Sequence, residues 1–575
     1  MIRTLLILIS LLFVDAVALR AEIRLSAPAA HTVFQRNQRN EGVIRVHGTC
    51  TLPYTRLEAR LVSWPTPGTE PAAWVALAMP PGQGTFHGDL TARGGWYTLE
   101  VRGTLEQGEP DTASVKPVGI GEVFLIAGHS NAMGLPNLGA RDGSENVVSF
   151  SALNKFLNPE NITVAPNAPM PAARFEPLKA EKYIFPSGES AWNWGELGTL
   201  LADRLGVPVL FMNAGWAAAN SFNWREAAEG KNTRNIYVDK DWPNRQPYSN
   251  LINTLRYYHS WLGIRAVLWF HGENDAAHLR ISQADYAANI KKLVEVTRKD
   301  FGHSMAWVFA LCTVSLNNSE TYLPVLNAQI QLAETPGLLT WRGPFTDTIQ
   351  VPRPNHGHFE NVKGGTQGLT QLAQAWNRNL TDAFFAQRPA YAPQAALFAG
   401  VVPRSVSPGQ AFLLPFRASG SLPASTLFEA QLLNEQGDFV APVGVGTQSP
   451  LRVVMPANLP DGRYRLRIVA QQPTLTGNVS DFFRVERGLP SPQLVRSLEI
   501  RTTDGRSTIH ALVAANTDIV RFTIERSDDR TTFAPIRTLA ALPANGSTSI
   551  LYSFTDPAPS SQTAYYRLRL EKRSG

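Results

Sequence analysis

The sequence predicts a multidomain chain: a central three-layer α/β unit with a parallel sheet, flanked by an N-terminal β-sandwich and two C-terminal β-sandwich modules. Three observations carry that expectation. At about 150 residues per domain, 575 residues make several domains rather than one. The apolar pattern changes texture twice, from alternating to continuous near Val118 and back again after Arg388-Pro-Ala-Tyr-Ala-Pro. Apolar residues make up 44% of the chain and charged ones 17%, which suffices for several cores and excludes disorder over most of the length.

Residues 1–21 have the layout of an export signal: Arg3, an apolar run from Leu5 to Val14, then Ala16, Ala18 and Ala21. The run is too short to cross ~30 Å of hydrocarbon, and no later stretch reaches the length of a span. The expectation is an exported protein, secreted or periplasmic, with no membrane span. Lysine and arginine number 53 against 47 acidic residues, and no basic run concentrates the excess, so nucleic acid is not an expected partner. Cys50 and Cys312 lie far apart, which excludes a disulfide framework and leaves two buried thiols.

Residues 22–117 alternate with period two, as in Val43-Ile-Arg-Val-His47, Leu57–Val62 and Trp96–Val101, the pattern of strands with one solvated face. Residues 118–388 instead carry continuous runs at Val123–Ala127, Val209–Met212, Ala266–Phe270 and Ala306–Ala310, as strands covered on both faces do. Helical patterns lie between and after them. One follows the capping pair Ser282 and Asp285, one runs from about Trp194 to Leu205 before Gly206, and one closes the domain near 366–385. Alternation returns in 392–486, for example at Gly462–Val469, and in 492–575, for example at Phe522–Ser527 and Ala564–Leu570. These two modules resemble the Ig-like and fibronectin type III-like modules of secreted bacterial enzymes. They contain no tryptophan, and a spacer or attachment role is expected of them.

Ligands of open parallel sheets bind beyond the carboxyl ends of the strands. The segments that follow the runs there are Gly128-His129-Ser130-Asn131, Asn213-Ala214-Gly215-Trp216 and His271-Gly272-Glu273-Asn274-Asp275, with Pro354-Asn355-His356-Gly357-His358-Phe359 farther on. A serine just past a buried strand is placed as a nucleophile and needs a base, for which histidine is suited by its pKa. The N–H groups of Ser130 and Gly215 and the amide of Asn274 are candidate oxyanion donors. If the His356–His358 segment is extended, its two histidines point in opposite directions, and one of them faces the serine.

These blocks, in this order, resemble an SGNH-type hydrolase. Gly121-Glu-Val-Phe-Leu-Ile-Ala-Gly-His-Ser-Asn-Ala-Met133, Tyr248-Ser-Asn-Leu-Ile-Asn253 and Arg265-Ala-Val-Leu-Trp-Phe-His-Gly-Glu-Asn-Asp275 resemble, more narrowly, the sialate O-acetylesterase and acetylxylan esterase group of carbohydrate esterases. The resemblance spans residues 118–385. It implies an SGNH-hydrolase-like central fold and a serine acyl-enzyme mechanism without cofactor. It implies Ser130 as nucleophile, His358 rather than His356 as base, and Glu273 as the acid that orients the histidine; a dyad backed by Asn355 or a carbonyl is the fallback.

Two positions depart from the group, which usually has Gln where this chain has His129 and His271. Two changes of the same kind beside one pocket point to altered substrate contacts or to a local pKa effect, and both residues are candidates for binding substrate. Trp216 and Trp224 are candidates for an aromatic rim on which a sugar stacks, and Arg225 for an acidic sugar's carboxylate. No metal is expected, because no His-Glu-x-x-His helix or close histidine triple is present. The expected substrate is an acetylated glycan or sugar. The alternatives are an acetylxylan or other polysaccharide deacetylase and, from another class, a catalytically inactive sugar-binding module.

Overall fold

The structure, a computed structural model, describes residues 23–572 apart from 51–53, 67–71, 80–83, 106–109, 156–168, 316–318, 421, 472–473, 488–494, 504–505, 515–518, 529–531, 542–548 and 558–563. The expected export segment, 1–21, lies outside the described residues. The chain is multidomain and rich in strands, and its central sheet is mixed.

The central path runs Phe175–Pro177, Val147–Phe150, Val209–Asn213, Asp111–Gly128, Ala266–Phe270, Ala306–Leu311, Thr340–Phe345. All neighbours are parallel except the first, short strand, which is antiparallel to the second. The apolar runs are continuous because successive residues of one strand enter two different cores. Val123, Leu125 and Ala127 face a core closed by Trp224, Tyr286, Ile290 and Val325 of helices Ser221–Ala228, Gln283–Phe301 and Leu323–Glu334. Phe124 and Ile126 face the other, closed by Trp194, Leu197, Leu372 and Trp376 of helices Trp194–Leu205 and Gly368–Asn379.

Helix limits follow local chemistry. Trp194–Leu205 ends at Gly206, left-handed at φ 65°. Ser282 caps Gln283–Phe301 by accepting the Asp285 N–H at 3.1 Å. The single helix expected near 366–385 is two, Gly368–Asn379 and Asp382–Gln387, because Thr381 caps a fresh start by accepting the Phe384 N–H.

The texture change at Val118 is a change of neighbours inside one strand. Asp111–Gly128 pairs antiparallel with Gly95–Thr104 in its first part and lies at the centre of the parallel sheet in its second. Where the two parts meet, buried Glu122 contacts Arg36 at 2.6 Å and Arg265 at 2.7 Å. Burial alone would raise this carboxyl, but Arg265 and Arg36 hold it below the ordinary range. Around this strand, Ile44, Val46, Leu57, Phe86 and Leu99 form a separate N-terminal core. The described strands between 396 and 485, and those between 495 and 572, have cores of their own.

Candidate active site

The site grows from the carboxyl ends of the parallel strands. Gly128 ends the central strand at φ +138°, and a Cβ there would lie 1.9 Å from Phe270 O, so glycine is required between the two strand ends. His129 then caps the short helix Ser130–Met133, its Nδ1 accepting the Asn131 N–H at 3.2 Å. Ser130, first in that helix, is half-buried, and its N–H has no intrahelical acceptor.

His358 comes from the loop after Thr340–Phe345, and its Nε2 lies 2.9 Å from Ser130 Oγ. Its Nδ1 lies 3.0 Å from the carbonyl oxygen of Asn355, which also accepts the His358 N–H at 2.8 Å. A carbonyl only accepts, so Nδ1 carries the ring hydrogen and Nε2 presents a lone pair to the serine. Burial lowers the His358 pKa, opposed by the Asn355 carbonyl and by the charge of Glu273. His356 is exposed, with a left-handed φ of +46°.

Glu273 is not where the resemblance implies, and its assignment as the acid on His358 is corrected. Its Oε2 lies 2.7 Å from His129 Nε2, its Oε1 takes an ion pair from Arg353, and both oxygens accept from Asn131 Nδ2 at 3.2 and 3.1 Å. Burial would raise this carboxyl, but Arg353 and His129 hold it down to about 2. The Nδ1 position of His358 that it was expected to fill is taken by the Asn355 carbonyl.

The Gly215 N–H is also spent. It donates to Asn213 Oδ1 at 2.8 Å in the same turn, so its oxyanion role is corrected as well. A Cβ on Gly215 would lie 2.6 Å from Met133 N, which makes glycine here a matter of packing against the serine helix. Asn213 Nδ2 meanwhile donates to Ala132 O at 2.9 Å and ties that helix to the next strand. Asn274 is half-buried, with a single long contact of its amide to Ala219 O at 3.4 Å.

The expected substrate contacts are interior. His129 is 1% exposed and His271 is fully buried, its Nε2 3.1 Å from Ala219 O and its Nδ1 3.2 Å from the Tyr286 hydroxyl. Burial lowers its pKa well below the ordinary value, so it is a neutral packing residue stacked on Trp269. Trp216 and Trp224 form no rim: both are buried, edge-on to Trp242 and Trp269. Arg225 donates to Asn289 Oδ1 at 2.8 Å, a bond within the fold.

His129, Glu273 and Cys312 bring ligand atoms within 4.8 Å of one another, but the trio does not fit a cation. The Arg353 guanidinium already sits on Glu273, and burial pushes the Cys312 thiol well above its ordinary pKa. Sequence reasoning missed Arg353, which is buried and ties Glu273 to the carbonyls of Val314, Thr346 and Gly357. It also missed the bridging role of Asn131, whose Nδ2 reaches Gly357 O at 3.3 Å. No periodicity marks either residue. Proximity to Ser130 and His358 was the one available signal.

Residues 227–342 match the family model described as carbohydrate esterase, sialic acid-specific acetylesterase. That segment holds the His271–Asp275 turn and lies between Ser130 and His358. No curated protein matches the sequence. Among solved structures, a carbohydrate acetylesterase from Xanthomonas citri is similar at 16% identity and a TM-score of 0.37, over 81% of this chain and 100% of that one. The BSP domain of a biofilm-associated protein is similar at 14% identity and a TM-score of 0.14, over 32% and 28%. Both likenesses are too slight to bear on fold or activity. The family match, over the turn that carries Glu273, supports a sialate O-acetylesterase-like carbohydrate esterase, a carboxylic ester hydrolase that acts on acetylated sugars.

Proposed function

We propose that the protein is an exported carbohydrate O-acetylesterase of SGNH-hydrolase type that removes acetyl groups from sugars of the sialic acid class through an acyl-enzyme on Ser130. One observation carries the mechanism: the 2.9 Å contact between Ser130 Oγ and His358 Nε2, with the imidazole turned to its Nδ1–H tautomer by a carbonyl. His358 takes the serine proton as Oγ attacks the acetyl carbonyl, then returns it to the departing sugar oxygen. Water adds to the acyl-enzyme by the same route and releases acetate. The developing oxyanion is met by the N–H of Ser130, which has no helical acceptor, and by the Asn274 amide at the adjacent strand end. The charge formed on His358 is stabilised at a distance by Glu273, which stays ionised.

Acetate release from p-nitrophenyl acetate and from O-acetylated sialic acid tests this reading. The wild type turns both over, and S130A and H358A each lose about 10⁴-fold in kcat or more. Release from acetylated xylan but not from the sialic acid would move the substrate to plant polysaccharide. Activity surviving in S130A would end the serine mechanism.

A further inference from the structure

We propose that His129 is a positioning residue whose imidazole holds the nucleophile turn and the histidine loop in register. The inference rests on the reading of Ser130 and His358 given above.

Both nitrogens of the buried ring face polar neighbours. Nδ1 accepts the Asn131 N–H at 3.2 Å, and Nε2 lies 2.7 Å from Glu273 Oε2. Accepting at Nδ1 leaves no hydrogen there, so the single ring hydrogen sits on Nε2, toward the carboxylate. Glu273 then carries the connection onward. Arg353 and Asn131 Nδ2 both bind it, and both also reach Gly357 O at 3.3 Å, one residue from His358. One buried carboxylate thus fastens the residue before the nucleophile to the residue before the base.

Gln offers an oxygen to the Asn131 N–H and an amide hydrogen to Glu273 without titrating, so H129Q and H129A separate the positioning role from a packing role. Turnover of p-nitrophenyl acetate is followed at neutral pH, with thermal melting to confirm folding. H129A loses about 10- to 100-fold in kcat with KM little changed, and H129Q restores most of that kcat. A folded but inactive H129Q, or wild-type kcat in H129A, overturns the proposal. Full activity in S130A would instead overturn the serine mechanism beneath it.

Discussion

Ser130 and His358 meet across most of the central domain, yet each is set by its own neighbours. The serine stands at the start of a helix that Gly128 and His129 position, and the histidine is turned by a carbonyl three residues before it. Because the backbone of Asn355, not its side chain, holds Nδ1, N355A keeps kcat/KM on p-nitrophenyl acetate within about 3-fold of wild type. A loss of 100-fold or more would show that the amide acts directly. At this scale the sequence was legible where chemistry is local: a serine at a strand end, and a histidine-bearing loop ahead of the last helical segment. It could not show whether Asn355 contributes its amide or its carbonyl, because every residue type brings the same carbonyl. The tryptophans misled for a related reason. An aromatic near a pocket has the same letters as one in the core, and the packing of Trp216 against Trp242 and Trp224 against Trp269 is decided by distant strands.

Between elements, Glu273 joins the turn after Ala266–Phe270 to the serine helix and to the loop that carries His358. Its carboxyl falls from an ordinary 4.5 to about 2 in the fold, so its stabilisation is fully present above pH 4.5 and is lost as pH falls toward 2. The wild-type melting temperature therefore drops through that window. E273Q is destabilised by about 3 kcal/mol at neutral pH, because it strands Arg353, and it shows a shallower acid dependence. Equal melting curves for the two proteins from pH 2 to 7 would refute this. Helices such as Trp194–Leu205 and Gln283–Phe301 were readable because their caps lie within the helix or beside it. The partners of Glu273 come from residues 129, 131 and 353, and no spacing in the chain announces such a meeting.

Across the whole molecule, Asp111–Gly128 serves two sets of neighbours, and the Glu122, Arg36 and Arg265 cluster fastens the joint. Trp261 borders the N-terminal core, one face of the central sheet and the core of 396–485. R36A leaves Glu122 short of a buried partner and lowers the melting temperature of the central domain by several degrees, at a cost of about 3 kcal/mol. An unchanged calorimetric transition would contradict that coupling. Residues 495–572 build a separate core, so a chain ending after Glu486 keeps its kcat/KM on p-nitrophenyl acetate. A large loss would make that segment part of the catalytic unit. The sequence showed both texture changes but not that one strand spans the first of them, because period-two and continuous apolar patterns can follow one another without a turn. The most direct test of the mechanism is peptide mapping by mass spectrometry after turnover of p-nitrophenyl acetate is quenched in acid. The acyl-enzyme mechanism places an acetyl group, about 42 Da, on the peptide containing Ser130 and removes it in S130A. An acetyl group on another residue, with turnover intact in S130A, would contradict it.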